Sequence, residues 1–347
     1  MIQHKLGKNP SGERLKRIEK SPNYKNGQFQ NLSHTPQLAE GKTILGIISD
    51  RLFKKFPNVK PMDEIPSVKT NIHQLDMEKD VLIWCGHSSY FLQVDGVRIL
   101  VDPVFSGNAS PIPNSIPSFE GANNYSVNDF PNLDYLFLSH DHYDHLDYST
   151  ILELKNKVET VICGLGVGSH LEYWGYDSTK IIEKDWYETV ELKNNLHLSI
   201  EPARHFSGRT LARNKTLWVS FVLKSSNLNL FLGGDSGYES HYKAIGEKHG
   251  PFDLAILENG QYNTSWPYIH HTPAQVLQAA TDLKTKRILP VHSSKFNLST
   301  HPWDEPLKQL KNLNEVYHFP LVTPVIGEVV DLRDEQRVFG AWWEDLE

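Results

Sequence analysis

The chain has 347 residues, 39% of them hydrophobic, and a formal net charge of −7. That length holds one large domain or two modest ones around a real core, and the acidic balance excludes a general nucleic-acid binder, which carries a basic excess. Only two cysteines occur, Cys85 and Cys163, so no disulfide framework is available and a reducing compartment is expected. Residues 1–40 are polar and irregular and read as an arm wrapping a domain that spans 41–347. Seven Lys/Arg against two acids in the first thirty residues would suit anionic lipid; a solvated or surface-docked arm is the plainer alternative. The opening stretch has no apolar segment of a secretory signal, and no run of eighteen apolar residues occurs. A cytoplasmic location is therefore expected, with peripheral membrane contact at most.

From residue 80 the strand signals are clear. VLIW (81–84) precedes YFLQV-DG-VRILV (90–101), two β-rich runs joined by Asp95-Gly96, the signal of a two-residue hairpin turn. DYLFL (134–138) follows, and further strands are predicted at 159–162, 196–201, 216–224, 228–232, 253–257 and 287–291. Helical patterns cover 147–157, 239–248, 273–283 and 304–312, the third with Pro273 in its first turn and Thr272 as cap. Strands run first as meanders and then alternate with helices, twice over. The fold class this implies is α/β, two sheets packed face to face with helices outside, an αββα sandwich in one domain.

The stretch LSHDHYDHLD (138–147) packs three histidines and three aspartates into ten positions. Buried and unpaired, such groups would cost several kcal/mol each, about the stability of a whole domain. A bound metal resolves the conflict by taking both imidazoles and carboxylates as ligands. The motif sits at the C-terminal end of a predicted strand, where loops carry chemistry. Extended geometry points His140 and His142 to one side; Asp144 and His145 enter a turn, with Asp147 as the cap of the next helix. Four such ligands in six residues fit two adjacent ions better than one.

The spacing His-x-His-x-Asp-His resembles the signature of the metallo-β-lactamase-fold hydrolases. Three later strand ends supply matching groups in order: His205 in EPARHFSGRT, Asp235 in LFLGGDSGY and His292 in RILPVHSSKF. The resemblance implies two metals, one taking His140, His142, His205 and Asp235, the other Asp144, His145, Asp235 and His292, with Asp235 shared. WCGHSSYFLQVDGVRILVDPVFSGNASP, GPFDLAILENGQY, RILPVHSSKFNLSTHPWDEP and the arm's SPNYKNGQFQNLSHTP narrow it to the N-acylphosphatidylethanolamine phospholipase D family and its bacterial relatives. That implies two zinc ions, with iron or manganese accepting the same ligands, a metal-bridging hydroxide as nucleophile, and a phospholipid or small phosphodiester as substrate. One departure stands out: Ser293-Ser294 occupies the place of the relatives' aromatic-Gly pair, which puts the shape of the adjacent pocket in question.

Beyond the ligands, Asp102 is expected to orient a ligand histidine or simply to form a turn before Pro103. His87 could lie at the mouth of the site or simply hydrogen-bond a loop, and the loop is the favoured reading. The resemblance places His270 beside the metals, where it could bind a phosphate oxygen or protonate a leaving alkoxide; its alternative is to cap the following helix. Asp144, Asp235 and His270 are thus the candidate catalytic residues. His271 is expected to point elsewhere, Lys295 and His301 are weaker candidates for substrate contact, and His241, His249 and His318 read as surface or packing residues. Phe105, Phe119, Tyr125 and Phe130 are, with the basic arm, the candidates for touching a membrane. The competing enzymatic reading is a lactonase or other hydrolase of a small soluble substrate on the same metals. A β-lactamase would carry Cys in place of Asp235, and a non-catalytic metal scaffold gains nothing from a complete ligand set.

Overall fold

The computed structural model describes residues 2–347. The arm holds two short helices, α1 (Ile2–Lys5) and α2 (Gly12–Ile18), and a hairpin of β1 (Tyr24–Lys25) and β2 (Gln28–Phe29), followed by helix α3 (Ile44–Phe53). The first half of the domain then runs β3 (Val81–Trp84), β4 (Tyr90–Val94), β5 (Val97–Val101), β6 (Leu133–Leu138), α4 (Tyr148–Leu154), β7 (Val158–Gly164), α5 (Gly168–Tyr173) and β8 (Ile181–Lys184). The second runs β9 (Thr189–Glu191), β10 (His197–Glu201), β11 (Ser220–Lys224), β12 (Asn229–Leu232), α6 (His241–His249), β13 (Leu254–Glu258), α7 (Pro273–Leu283), β14 (Ile288–Val291), α8 (Glu305–Tyr317) and β15 (Val329–Asp331).

Two sheets result. One orders its strands β15-β3-β4-β5-β6-β7-β8, the other β14-β13-β12-β11-β10-β9. Each begins as an antiparallel meander and ends in parallel β-α-β units, as the alternation of patterns predicted. Asp95 (φ 46°) and Gly96 (φ 74°) both turn left-handed, the requirement of the two-residue turn between β4 and β5.

The strands are apolar on both faces because both are covered. Leu82, Phe137 and Ile162 meet Ile200, Phe221 and Leu232 of the other sheet in the central layer. Their neighbours point outward: Ile83, Leu136 and Val161 under α4 and α5, Val222, Phe231 and Ala255 under α6, α7 and α8. This is the expected αββα sandwich.

The arm lies on this body. Arg14 pairs with Glu172 and Glu183, each at 2.7 Å, and Arg17 donates to the Glu183 carbonyl at 2.7 Å. Two of the seven basic groups are thereby spent on the protein itself. Among the described residues no helix is long and apolar enough to cross a membrane.

Candidate metal centre

The predicted ligands follow the ends of β6, β10, β12 and β14 and come together, and His140, His145, His205 and His292 have partners behind them. Asp102 follows β5 with φ 40°; its carboxylate accepts from the Ser139 N–H at 2.8 Å and from His145 Nδ1 at 2.9 Å. Ser139 Oγ in turn lies 2.9 Å from His140 Nδ1. Asp102 therefore orients a histidine of the motif, as expected. Asp147 caps α4 by accepting from the Ser149 N–H, which fixes the exit of the loop.

The second sheet supplies the distal groups. His205 Nδ1 donates to the Ile269 carbonyl at 2.9 Å, so its neutral ring turns an unprotonated Nε2 to the centre. The arm reaches this position: Asn31 donates to the His205 carbonyl at 2.7 Å and accepts its N–H at 3.1 Å. Asp235 follows Gly233-Gly234; Gly234 has φ 58°, and a Cβ there would lie 2.8 Å from Ser139 Cβ, so glycine lets the two ligand loops meet. His292 leaves β14 with φ 65°, and its Nδ1 lies 3.4 Å from Glu258 Oε2.

The groups converge in two sets. His142 Nδ1 lies 2.9 Å from His140 Nε2 and 3.2 Å from His205 Nε2, with Asp235 Oδ2 3.8 Å from His140 Nε2 and 3.7 Å from His205 Nε2. Asp144 Oδ2 lies 3.5 Å from His145 Nε2 and 3.3 Å from His292 Nε2. Asp235 reaches this second set too, 3.1 Å from each of the same two nitrogens. One carboxylate thus borders both.

Such a packing of like groups needs a countercharge. Burial holds His140 well below the usual imidazole range and brings His142 and His205 to about 3. Three neutral rings then face one another with lone pairs inward. His142 Nε2, His145 Nε2 and Asp235 Oδ1 are buried without a hydrogen bond among the described residues. At the second set burial is outweighed by carboxylates: Asp235 and Asp144 raise His145 well above its ordinary value, and Asp235 leads in lifting His292 to about 10. Bound metal would take the lone pairs and balance the acids. The residues fit metal.

Two concavities open on this centre. One, of about 270 Å³, is lined by Leu38, Ile44, Phe206, Trp266, Ile269 and Leu298 around His142, Asp144, His205, Asp235, His270 and His292. The other, of about 590 Å³, runs along Leu6, Ala109, Tyr143, Thr210 and Leu211. They share His142, Asp144, Phe206 and Arg213.

Residues 97–293, more than half of the chain, match the family model of the beta-lactamase superfamily domain. The chain belongs to the beta-lactamase superfamily. As a superfamily member it is a metal-dependent hydrolase. It is 37% identical to a Mycobacterium tuberculosis protein over 329 residues, 94% of this chain and 88% of that one. It is 30% identical over 275 residues to N-acyl-phosphatidylethanolamine-hydrolyzing phospholipase D 1 of Caenorhabditis elegans, covering 72% of this chain and 75% of that one. Among solved structures, the metallo hydrolase Igni18 of Ignicoccus hospitalis shares the fold at a TM-score of 0.54 and 20% identity, over 73% of this chain and 97% of that one.

Within this superfamily site, some residues stand where the sequence suggested and others elsewhere. His87 does hydrogen-bond a loop, and it is the ligand-bearing one: with φ 54° the residue is fully buried and its Nε2 lies 3.0 Å from Asp144 Oδ2. His270 does not cap α7, where the Gln275 side chain accepts from the Thr272 N–H; it faces the cavity, and its Nδ1 lies 2.6 Å from Glu258 Oε2. Glu258 itself escaped sequence reasoning. It ends β13, the single acid in the otherwise apolar LAILE, and that placement at a parallel strand's C-terminal end is the signal. His271, as expected, points elsewhere, its ring packing beside Tyr242. His301 is turned to the backbone, accepting from the Gln261 N–H. Ser293 and Ser294 are buried and line neither concavity; Ser294 adopts φ 61°, a conformation that favours glycine. Phe105, Phe119, Tyr125 and Phe130 are all buried core residues and have no surface to offer a membrane.

Lys295 is likewise no substrate contact. It is fully buried, donating to the carbonyls of Cys85 at 3.1 Å and Val104 at 2.9 Å. Burial lowers its pKa from 10.5 to about 8. Between those values the folded state binds fewer protons than the unfolded one, so this residue makes stability rise with pH across that window. We expect Lys295→Met to remove that rise, measured as the denaturation midpoint from pH 8 to 10.5 against the parent chain. Parallel curves would show the ammonium is not taken up as drawn.

Proposed function

We propose that the chain is a binuclear zinc phosphodiesterase of the phospholipase D type. One ion would be held by His140, His142, His205 and Asp235, the other by Asp144, His145, Asp235 and His292. The observation that carries the substrate class is the meeting of two largely apolar concavities over His142 and Asp144. A phosphodiester with an apolar arm on each side fits that plan. N-Acylated phosphatidylethanolamine has this form, and it is the substrate named for the Caenorhabditis elegans relative. A lactone or small soluble ester would leave one concavity unused.

When bound, the metals would supply a nucleophile from water at neutral pH and offset charge on the phosphoryl oxygens. The chain's own residues do the rest. Arg213 lies where the concavities join, placed to meet a phosphate oxygen by charge-assisted hydrogen bonding. His270 is held near 4 by burial and is neutral at pH 7. With Nδ1 directed at Glu258, its Nε2 is free to take the proton of the attacking water and return it to the leaving alkoxide. Water is kept from the acyl arms by Phe206, Trp266 and Leu298.

The test is an assay on N-acylated phosphatidylethanolamine with product analysis by mass spectrometry, beside metal analysis of the same preparation. Phosphatidic acid and an N-acylethanolamine should appear, with about two ions per chain. Turnover of lactones without lipid cleavage would favour the alternative hydrolase. His270→Ala should leave metal content unchanged and lower turnover by about 10²–10⁴-fold. Full activity in that variant would remove it from the chemistry.

A further inference from the structure

Helix α3 carries its apolar side chains on the wrong face for a soluble protein. Ile44, Leu45, Ile48 and Phe53 are 59%, 79%, 48% and 83% exposed. The helix is tied to the body by Arg51, which shares a face with Ile44 and Ile48. Thr43 caps the helix by accepting from the Gly46 N–H, and Arg51 donates to the Asn297 carbonyl at 2.6 Å. Amphipathic helices on globular proteins bury their apolar stripe. Here the tie to the body is made by Arg51, itself exposed, and the apolar residues are presented outward.

The stripe is continuous with the site, because Ile44 also lines the smaller concavity with Trp266 and Leu298. It is also basic in an acidic protein. Residues 42–55 contain Lys42, Arg51, Lys54 and Lys55 against the single acid Asp50, within a chain of net charge −7. Asp50 is already paired with Lys54 at 2.9 Å. Ten residues at 1.5 Å each make a helix of about 15 Å, sized to lie in a headgroup layer rather than to span one.

We propose that α3 is an interfacial helix that seats the protein on an anionic lipid surface, with the exposed stripe among the acyl chains and the mouth of the concavity opening toward the bilayer. The inference deepens the reading of a lipid phosphodiester as substrate and rests on it. Charge decides the occupant. A second copy of the chain would bring the same basic helix against this one and repel it in a twofold contact, whereas anionic headgroups attract each lysine. A protein seated here would also close the concavity that a bilayer would feed.

The experiment is co-sedimentation of the full chain with vesicles of phosphatidylcholine containing phosphatidylglycerol, beside vesicles of phosphatidylcholine alone. Leu45→Ser with Phe53→Ser removes two stripe residues that line neither concavity. Lys42→Gln with Lys55→Gln removes charge. Circular dichroism and metal content confirm that each variant is intact. The parent should bind the anionic vesicles, less so at high salt. The first variant should lose at least tenfold in partitioning, and the second should lose its preference for anionic over neutral vesicles. Parent and variants binding alike, or no binding by the parent, overturns the proposal. So does a dimer in sedimentation velocity that Leu45→Ser with Phe53→Ser dissolves, since a second copy is then the occupant. The outcomes separate from those of the lipid assay. Helix-dependent vesicle binding without cleavage of N-acylated lipid leaves the helix standing and sinks the phosphodiesterase reading. Cleavage of detergent-dispersed lipid without vesicle binding does the reverse.

Discussion

Replacing Asp235 by Ala is expected to lower turnover of bis-p-nitrophenyl phosphate by about 10³-fold or more and to take metal content from about two equivalents per chain to one or none. The magnitude follows from position. Among the described residues Asp235 is the one carboxylate within reach of both ligand sets, 3.1 Å from His145 Nε2 and His292 Nε2 and 3.7 Å from His205 Nε2. On the proposed two-ion reading, losing it would remove a ligand from each ion and the negative charge beside both sets. Metal stabilisation of a developing phosphoryl charge amounts to several kcal/mol, and each 1.4 kcal/mol is tenfold in rate. Inductively coupled plasma analysis with a steady-state assay tests both parts together. Two ions retained with full turnover would mean that Asp235 bridges nothing. Asp144→Ala serves as comparison, since it touches only the second set and should spare the ion at His140, His142 and His205.

How much of this was legible in the sequence depends on whether a local pattern had a local cause. Central strands were readable because both faces are buried and the residues run apolar without interruption, as in β6 and β13. The edge strands β8, β9 and β15 were not: IIEK, TVE and VVD are three or four residues long and half-exposed, so their pairing is decided by the neighbouring strand. The predicted strand 216–224 fails over its first four residues for a tertiary reason. Leu217 N–H donates to Leu165 and Val219 N–H to Ser139, both on the opposite side of the sandwich, so this apolar run crosses between layers before β11 begins. Helix α3 was hidden by Gly46 and by a stripe that faces outward, which breaks the rule that periodic apolar residues mark a core. In the site, the contiguous motif at 140–145 announced itself by density. His87, Glu258 and Asn31 did not, because each is a single polar residue whose role exists only once the chain has brought a ligand to it.

Glu258 gives the clearest separation between what stabilises the fold and what serves the site. It is 1% exposed, accepts from the His271 N–H at 2.9 Å, and lies 2.6 Å from His270 Nδ1 and 3.4 Å from His292 Nδ1. Burial first, and then the charge of Asp235, raises its carboxyl well above the usual range. An acid raised in this way binds its proton more tightly in the folded state. It therefore makes the metal-free protein lose stability as pH rises above about 4.5, the unfolded value. Glutamine has nearly the same shape and no such dependence. Glu258→Gln should thus raise the melting temperature of the metal-stripped protein at pH 7 and flatten its decline with pH. The same change replaces the carboxyl behind His292 and His270, so metal affinity or turnover should fall by about 10–100-fold, the usual cost of losing a partner behind a ligand histidine. The two effects have opposite signs, and a purely structural glutamate would not give both. Thermal melts of the stripped protein, paired with metal titration and turnover of the reconstituted one, decide the matter. A variant that is destabilised when stripped and unimpaired when loaded would place Glu258 in the core and leave His292 and His270 to be oriented by packing alone.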